Sequence, residues 1–83
     1  VDSERALELY PAQPILYLVN AVANNNLGEP KKAIDHLEMG LDYLIDNPNM
    51  EADFYSELSI AYKALNNISK SEAFAKKAKA LKL

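Results

Sequence analysis

The 83 residues suffice for one small domain, and a composition of 49% hydrophobic and 25% charged residues is ordinary for a soluble globular protein. The absence of cysteine excludes disulfides and thiolate metal sites, and the net charge of −3 argues against nucleic-acid binding, which needs clustered lysines and arginines. The long uncharged stretch from Leu9 to Gly28 holds two prolines and four asparagines, so it is too polar to span a membrane. We therefore expect a soluble protein, cytoplasmic or periplasmic.

Two helices are predicted in the first third of the chain. The first runs from Val1 to Leu9 and is too short to be stable alone, so we expect it to dock on the next helix and to be the remainder of a longer one. The second runs from Pro14 to Leu27 and contains no charged residue. Because apolar side chains surround most of its circumference, it is predicted to be the central helix, covered by neighbours.

Three more helices are predicted: Pro30 to about Ile45, about Asn49 to Leu65, and Ser69 to the end. A glycine after one helix and a proline opening the next, as at Gly28 and Pro30, are typical of a tight antiparallel hairpin. Ser69 to Glu72 has a capping-box pattern. The buried side of the third helix is predicted to be Ala33, Ile34, Leu37, Leu41, Leu44 and Ile45. The sequence thus predicts an all-α protein of about five helices and no strands.

Self-comparison of the chain indicates an internal repeat. A tetrad of small, leucine, charged and bulky residues recurs at spacings of 34 and 40, as Ala6-Leu7-Glu8-Leu9, Gly40-Leu41-Asp42-Tyr43 and Ala80-Leu81-Lys82-Leu83. A 40-residue spacing also superposes Ala21 on Ala61 and Ala33 on Ala73. Small residues at such positions let two helices approach closely, so Ala21, Ala33 and Gly40 are predicted to lie where helices touch.

This pattern resembles that of the tetratricopeptide repeat (TPR) family, whose unit is a helix–turn–helix of nominally 34 residues. One repeat follows it at Leu27-Gly28, Ala33, Leu37, Gly40-Leu41 and Pro48, and the next at Leu58, Ala61-Tyr62, Ala73 and Ala80-Leu81. Ala6-Leu7, Leu9 and Pro11 resemble the tail of a preceding repeat. The late Pro48 departs from the family and predicts a longer third helix, and the glycine-free turn at 66–69 predicts an extended turn.

The resemblance implies an α-solenoid of stacked antiparallel hairpins, forming a single domain over residues 1–83. Within it, residues 1–11 would be the tail helix of a preceding repeat, 12–48 one repeat and 49–83 the next. No polar helix closes the predicted stack, so we expect a piece of a longer array whose last helix exposes an apolar strip involving Phe74, Ala78 or Leu81.

The resemblance also implies a scaffold that binds a peptide segment or partner protein in a concave groove lined by the first helix of each repeat. The groove candidates are Ile15, Leu18, Val22, Asn25, Asn26, Asp53, Ser56, Ile60 and Lys63. Asparagine suits this place because its amide both donates to and accepts from a peptide backbone. The family's carboxylate clamp needs more lysines than Lys63, so a neutral or mildly basic, partly apolar segment is expected rather than an acidic chaperone C-terminal tail.

Two other functions stay open. Seven acidic residues and no lysine or arginine lie between Ala33 and Tyr62, whereas six lysines follow from Lys63 onward. This segregation is typical of solvated faces, but it also suits self-association in which basic and acidic surfaces meet, or homo-oligomers through exposed terminal helices. The chain could also be an accessory domain of a larger protein whose activity lies elsewhere.

No residue pattern indicates catalysis, a cofactor or a metal. His36 is the only histidine and has no partner of the type and spacing that metal binding or nucleophilic catalysis needs. We therefore expect a solvated histidine and a protein that is not an enzyme.

Overall fold

Four α-helices form residues 13–81, the part of the chain that the computed structural model describes. They are α1 (Pro14–Asn26), α2 (Pro30–Tyr43), α3 (Pro48–Ala64) and α4 (Ile68–Leu81). Residues 13–81 contain no strand, so the predicted all-α class is confirmed. The helix predicted over residues 1–9 lies outside the described residues.

The turn between α1 and α2 closes as the glycine predicts. Gly28 has a φ of +74°, a conformation that costs a residue without Cβ little. Its amide donates to the carbonyl oxygen of Asn25 at 3.2 Å, and the amide of Glu29 donates to that of Asn24 at 2.8 Å. These two bonds satisfy carbonyls that the end of α1 would otherwise leave unpaired.

The turn between α3 and α4 is built in the same way, which corrects the prediction of an extended turn. Asn66 has a φ of +62° and takes the place of the glycine. Its amide donates to Lys63 O at 3.0 Å, and the amide of Asn67 donates to Tyr62 O at 2.9 Å. In both hairpins, three residues separate the helices.

The predicted capping box at Ser69 is also wrong, because α4 already begins at Ile68. Asn67 caps it instead, and its Oδ1 accepts a hydrogen bond from the backbone amide of Lys70 at 3.3 Å. A residue of the supposed box, Ser71, is therefore inside the helix and buried.

The linker between α2 and α3 explains the late Pro48. The helix α2 has 14 residues, as α4 does, so the prediction of a longer helix is wrong and the extra residues lie in the linker. Asn47 caps α3 by accepting from the amide of Met50 at 3.1 Å. Ile45, predicted to be buried, is 86% exposed because the helix has ended before it.

The core lies between helices that are neighbours in the chain. Each helix packs on the next one, and α1 also packs on α3; within residues 13–81, α4 packs only on α3. The core cluster comprises Tyr17, Leu18, Ala21, Ala33, Ile34, Leu37, Phe54, Leu58 and Ala61. The expectation that α1 is covered all round is not met, since Ile15 and Val19 are 42% and 48% exposed.

The two hairpins are equivalent at a spacing of 38 residues, not 40. The ends of α1 and α3, the starts of α2 and α4, and the positive-φ turn residues all differ by 38. This spacing places Ser71 on Ala33 and Ala78 on Gly40, and all four residues are buried. Ala73, which the 40-residue spacing placed on Ala33, is exposed.

Small residues lie at close helix contacts in the first hairpin, as predicted. Ala21 and Ala33 are fully buried, and so is Gly40. A Cβ atom on Gly40 would lie 2.6 Å from Cζ of Phe54 and 2.8 Å from Cβ of Tyr17, closer than real contacts allow. In the second hairpin, Ser59 and Ser71 meet instead, and each hydroxyl donates to the other's backbone carbonyl at 2.8 Å.

Candidate binding surface between the first and third helices

A depression of about 310 Å³ lies between α1 and α3, and we call it the inner groove. It is lined by Leu18, Val22, Asp53, Ser56 and Glu57. Four of these five residues were predicted as groove candidates from the sequence. The helix contact between α1 and α3 brings them together, since the two helices pack side by side at this point.

The other predicted candidates surround the inner groove without lining it. Ile15, Asn26, Ile60 and Lys63 are exposed, and Asn25 is half-buried. Eight of the nine candidates form equivalent pairs 38 residues apart: Ile15 with Asp53, Leu18 with Ser56, Val22 with Ile60, and Asn25 with Lys63. The candidates therefore occupy the same face of two equivalent helices.

Leu18 serves two purposes. It is only 9% exposed and belongs to the core cluster, so most of its side chain stabilises the fold. Its remaining surface forms part of the groove wall beside Val22, which is 36% exposed. Val22 is therefore the apolar groove residue that is available for contact with another molecule.

Glu57 is the groove residue that the sequence did not reveal. The side-chain amide of Asn25 donates to its Oε1 at 3.0 Å and to its backbone carbonyl at 3.2 Å. These bonds join residues 32 apart in the chain, which is why no local pattern predicts them. They hold the carboxylate in one position at the edge of the groove.

The same contact leaves one polar atom of Asn25 unpaired. Its Oδ1 is buried and has no hydrogen-bond partner within residues 13–81. The amide cannot be reversed without placing its oxygen against the two oxygens of Glu57, so an acceptor stands at this position. A buried acceptor without a donor is costly and accordingly rare in folded proteins.

A cluster of polar residues fills the interior of the first hairpin. Asn20 and Asn24 on α1 are buried and contact His36 on α2. Nδ1 of His36 is 3.0 Å from Oδ1 of Asn24, and Nε2 is 2.7 Å from Nδ2 of Asn20. A neutral imidazole that carries its proton on Nδ1 satisfies both contacts. His36 is thus a half-buried, hydrogen-bonded residue, and the expectation of a solvated histidine is wrong.

Aromatic residues fill the equivalent space in the second hairpin. Phe74 stacks on Tyr55 and Tyr62 with ring centroids 5.7 and 5.6 Å apart. Nζ of Lys77 lies 5.2 Å from the centroid of Phe74, and Nζ of Lys70 lies 5.2 Å from that of Tyr62. Three of these positions are 38 residues from Tyr17, Asn24 and His36. Equivalent positions thus hold an aromatic stack in one hairpin and a polar cluster in the other.

This arrangement corrects the prediction of an exposed apolar strip on the last helix. Ala78 is buried with 6% exposure, and Phe74 is half-buried beneath Lys77. The outward face of α4 instead carries lysines. Exposed residues of that face are Lys70, Lys76, Lys77 and Lys79.

Two tyrosines of these clusters have altered acidity. Burial is the main reason that the pKa of Tyr17 is raised, and the neighbouring Tyr43 adds to the effect. Burial likewise raises the pKa of Tyr55, whose hydroxyl donates to Oε2 of Glu51 at 3.0 Å. In both cases the neutral phenol is favoured, so these side chains act as packed hydrogen-bonding groups.

Two further depressions lie near turns. One, of about 350 Å³, is bounded by the first turn and Leu65, and the other, of about 200 Å³, adjoins the linker before α3. Neither contains a predicted groove residue. Within residues 13–81, no three histidine, aspartate or glutamate side chains converge as a metal site would require.

Comparison of the chain with protein-family models, with curated proteins and with solved structures finds no match. No helix in the described part is both long and apolar enough to cross a membrane. The function therefore has to be argued from the geometry of this chain.

Proposed function

We propose that the chain is a TPR-like protein-interaction scaffold that binds a peptide segment of another protein in the inner groove, without catalysing a reaction. The observation that carries this proposal is the meeting of Leu18 and Val22 with Asp53 and Ser56 in one depression. These residues come from equivalent faces of equivalent helices. A surface built this way offers apolar area, carboxylates and a hydroxyl along a line, which suits an extended chain.

The order of helix contacts supports a solenoid rather than a closed bundle. In a closed four-helix bundle the first and last helices pack together. Here α4 contacts only α3 among the described helices, whereas α1 contacts both α2 and α3. Hairpins stacked in a row have this order, and such rows present an extended concave surface.

The proposal can be tested with peptide arrays followed by titration. An array of twelve-residue peptides, with the best binders measured by fluorescence anisotropy, should yield ligands with micromolar dissociation constants. Val22→Glu should weaken them at least ten-fold, because it places a charge against the apolar wall of the groove. Met39→Glu on the exposed side of α2 is the matched control and should leave binding unchanged. Failure of every peptide to bind, or equal effects of both variants, would reject the proposal.

Self-association is the second candidate function, and one observation favours it. The face of α1 that points away from the core exposes Ile15 and Val19, four residues apart on the helix. Exposed apolar side chains that are adjacent on a helix mark potential contact surfaces. A second copy of the chain would be the partner.

A further inference from the structure

We infer that the segment recognised by the inner groove carries an arginine next to an aliphatic residue. This inference rests on the proposed binding function and specifies the chemistry of the partner. It follows from three properties of the groove: an apolar wall, an immobilised carboxylate and an unpaired acceptor.

The apolar wall accounts for the aliphatic residue. Val22 and the exposed edge of Leu18 form one side of a depression of about 310 Å³. That volume lies at the lower end of the range for ligand clefts, about 300–1,000 Å³. It suits the side chains of one or two residues of a peptide rather than a large cofactor.

The immobilised carboxylate accounts for the cation. Glu57 lines the opposite side of the groove, and its Oε1 is already bound to the amide of Asn25. Its other oxygen, Oε2, has no partner in the described part of the chain. Because Asn25 holds the side chain in place, a guest loses less conformational freedom when it binds there.

The unpaired acceptor favours arginine over lysine. Oδ1 of Asn25 belongs to the same amide group whose nitrogen is 3.0 Å from Glu57. A guanidinium carries five N–H donors in a planar fork, so it can bond a carboxylate and a nearby carbonyl oxygen at once. A carboxylate guest would meet two acceptors and no donor.

The surrounding charge points the same way. No lysine or arginine occurs between Ala33 and Tyr62, and Asp53 lies four residues before Glu57 on the same helix. A cationic guest is therefore attracted and an anionic one repelled, and both effects weaken as salt increases.

The test compares three twelve-residue peptides that differ at one position. Each has a central leucine in a serine–alanine background, followed by arginine, glutamine or glutamate. Fluorescence anisotropy at 50 mM NaCl should show the arginine peptide binding at least ten-fold tighter than the glutamine peptide, and the glutamate peptide weakest. At 500 mM NaCl, the preference for arginine should fall several-fold.

Glu57→Gln should remove most of the preference for arginine, since it keeps an oxygen for Asn25 but removes the charge. Glu38→Gln, an exposed site on α2, makes the same charge change and should leave the preference intact. Circular dichroism checks that both variants fold, and the wild-type series decides the question even if one does not. Equal binding of all three peptides would overturn this inference while leaving the proposed function in place; no binding by these peptides or by the array would overturn both.

Discussion

Gly40 shows how one residue determines the distance between helices. It lies inside α2, where glycine is otherwise unfavourable, and a side chain there would collide with Phe54 and Tyr17. Phe54 is fully buried, so its ring has little room to move aside. The glycine is therefore retained for close packing and not for backbone freedom.

Gly40→Ala should consequently destabilise the protein, although alanine is the better helix former. We expect a loss of about 1–3 kcal/mol in the free energy of unfolding, typical of an overpacked core. Urea denaturation followed by circular dichroism measures it. Asp42→Ala, an exposed position on the same helix, is the control and should change stability by less than about 0.5 kcal/mol. An unchanged or raised stability for Gly40→Ala would show that the helices can separate at no cost.

The first hairpin spends polar side chains where the second uses aromatic ones. Asn20, Asn24 and His36 satisfy one another, and removal of one partner would leave buried groups unpaired. Leu58, Tyr62 and Phe74 occupy the equivalent positions in the second hairpin. The two interiors are alternative solutions for the same backbone.

Exchange of these interiors is a test at the level of the hairpin. His36→Phe alone should cost about 1–3 kcal/mol, since it leaves both asparagines without a partner. Combining it with Asn20→Leu and Asn24→Tyr should restore at least the original stability, because the complete set is already compatible with this geometry in the second hairpin. Urea denaturation of the single and triple variants decides the matter. A triple variant less stable than the single one would refute the 38-residue equivalence.

The helices were largely predictable from sequence, and their relative alignment was not. Proline at the helix starts and the apolar periodicity locate α1 to α3 within about two residues. The alignment of the hairpins failed at Asn66, because the positive-φ position was expected to hold glycine. That error shifted the second repeat by two residues and put Ala73 where Ser71 lies.

The groove was predicted in outline and missed in its polar detail. Leu18, Val22, Asp53 and Ser56 could be placed on one face from helix periodicity. Glu57 could not, because its position depends on a contact with Asn25, 32 residues away. His36 was misjudged for the same reason, since its partners lie 12 and 16 residues before it.

The whole molecule is asymmetric, and this bears on self-association. At the α4 side, Ala75 and Lys79 replace Leu37 and Leu41 of α2, so this surface is adapted to solvent. At the α1 side, Val19 remains 48% exposed. Any pairing of copies through apolar contact should therefore use α1 and not α4.

The self-association alternative makes a prediction that separates these two surfaces. If copies pair through α1, the mass measured by light scattering should rise between about 10 and 500 µM, and it should persist at 500 mM NaCl because apolar contacts are not screened. Val19→Glu should return the protein to a monomer, whereas Lys79→Glu on the opposite side should not. If pairing instead joins the lysines of α4 to the acidic surface of α2 and α3, the mass should fall with salt and Lys79→Glu should be the disruptive variant. A mass that stays monomeric at every concentration would leave peptide binding in the inner groove as the only function proposed for these surfaces.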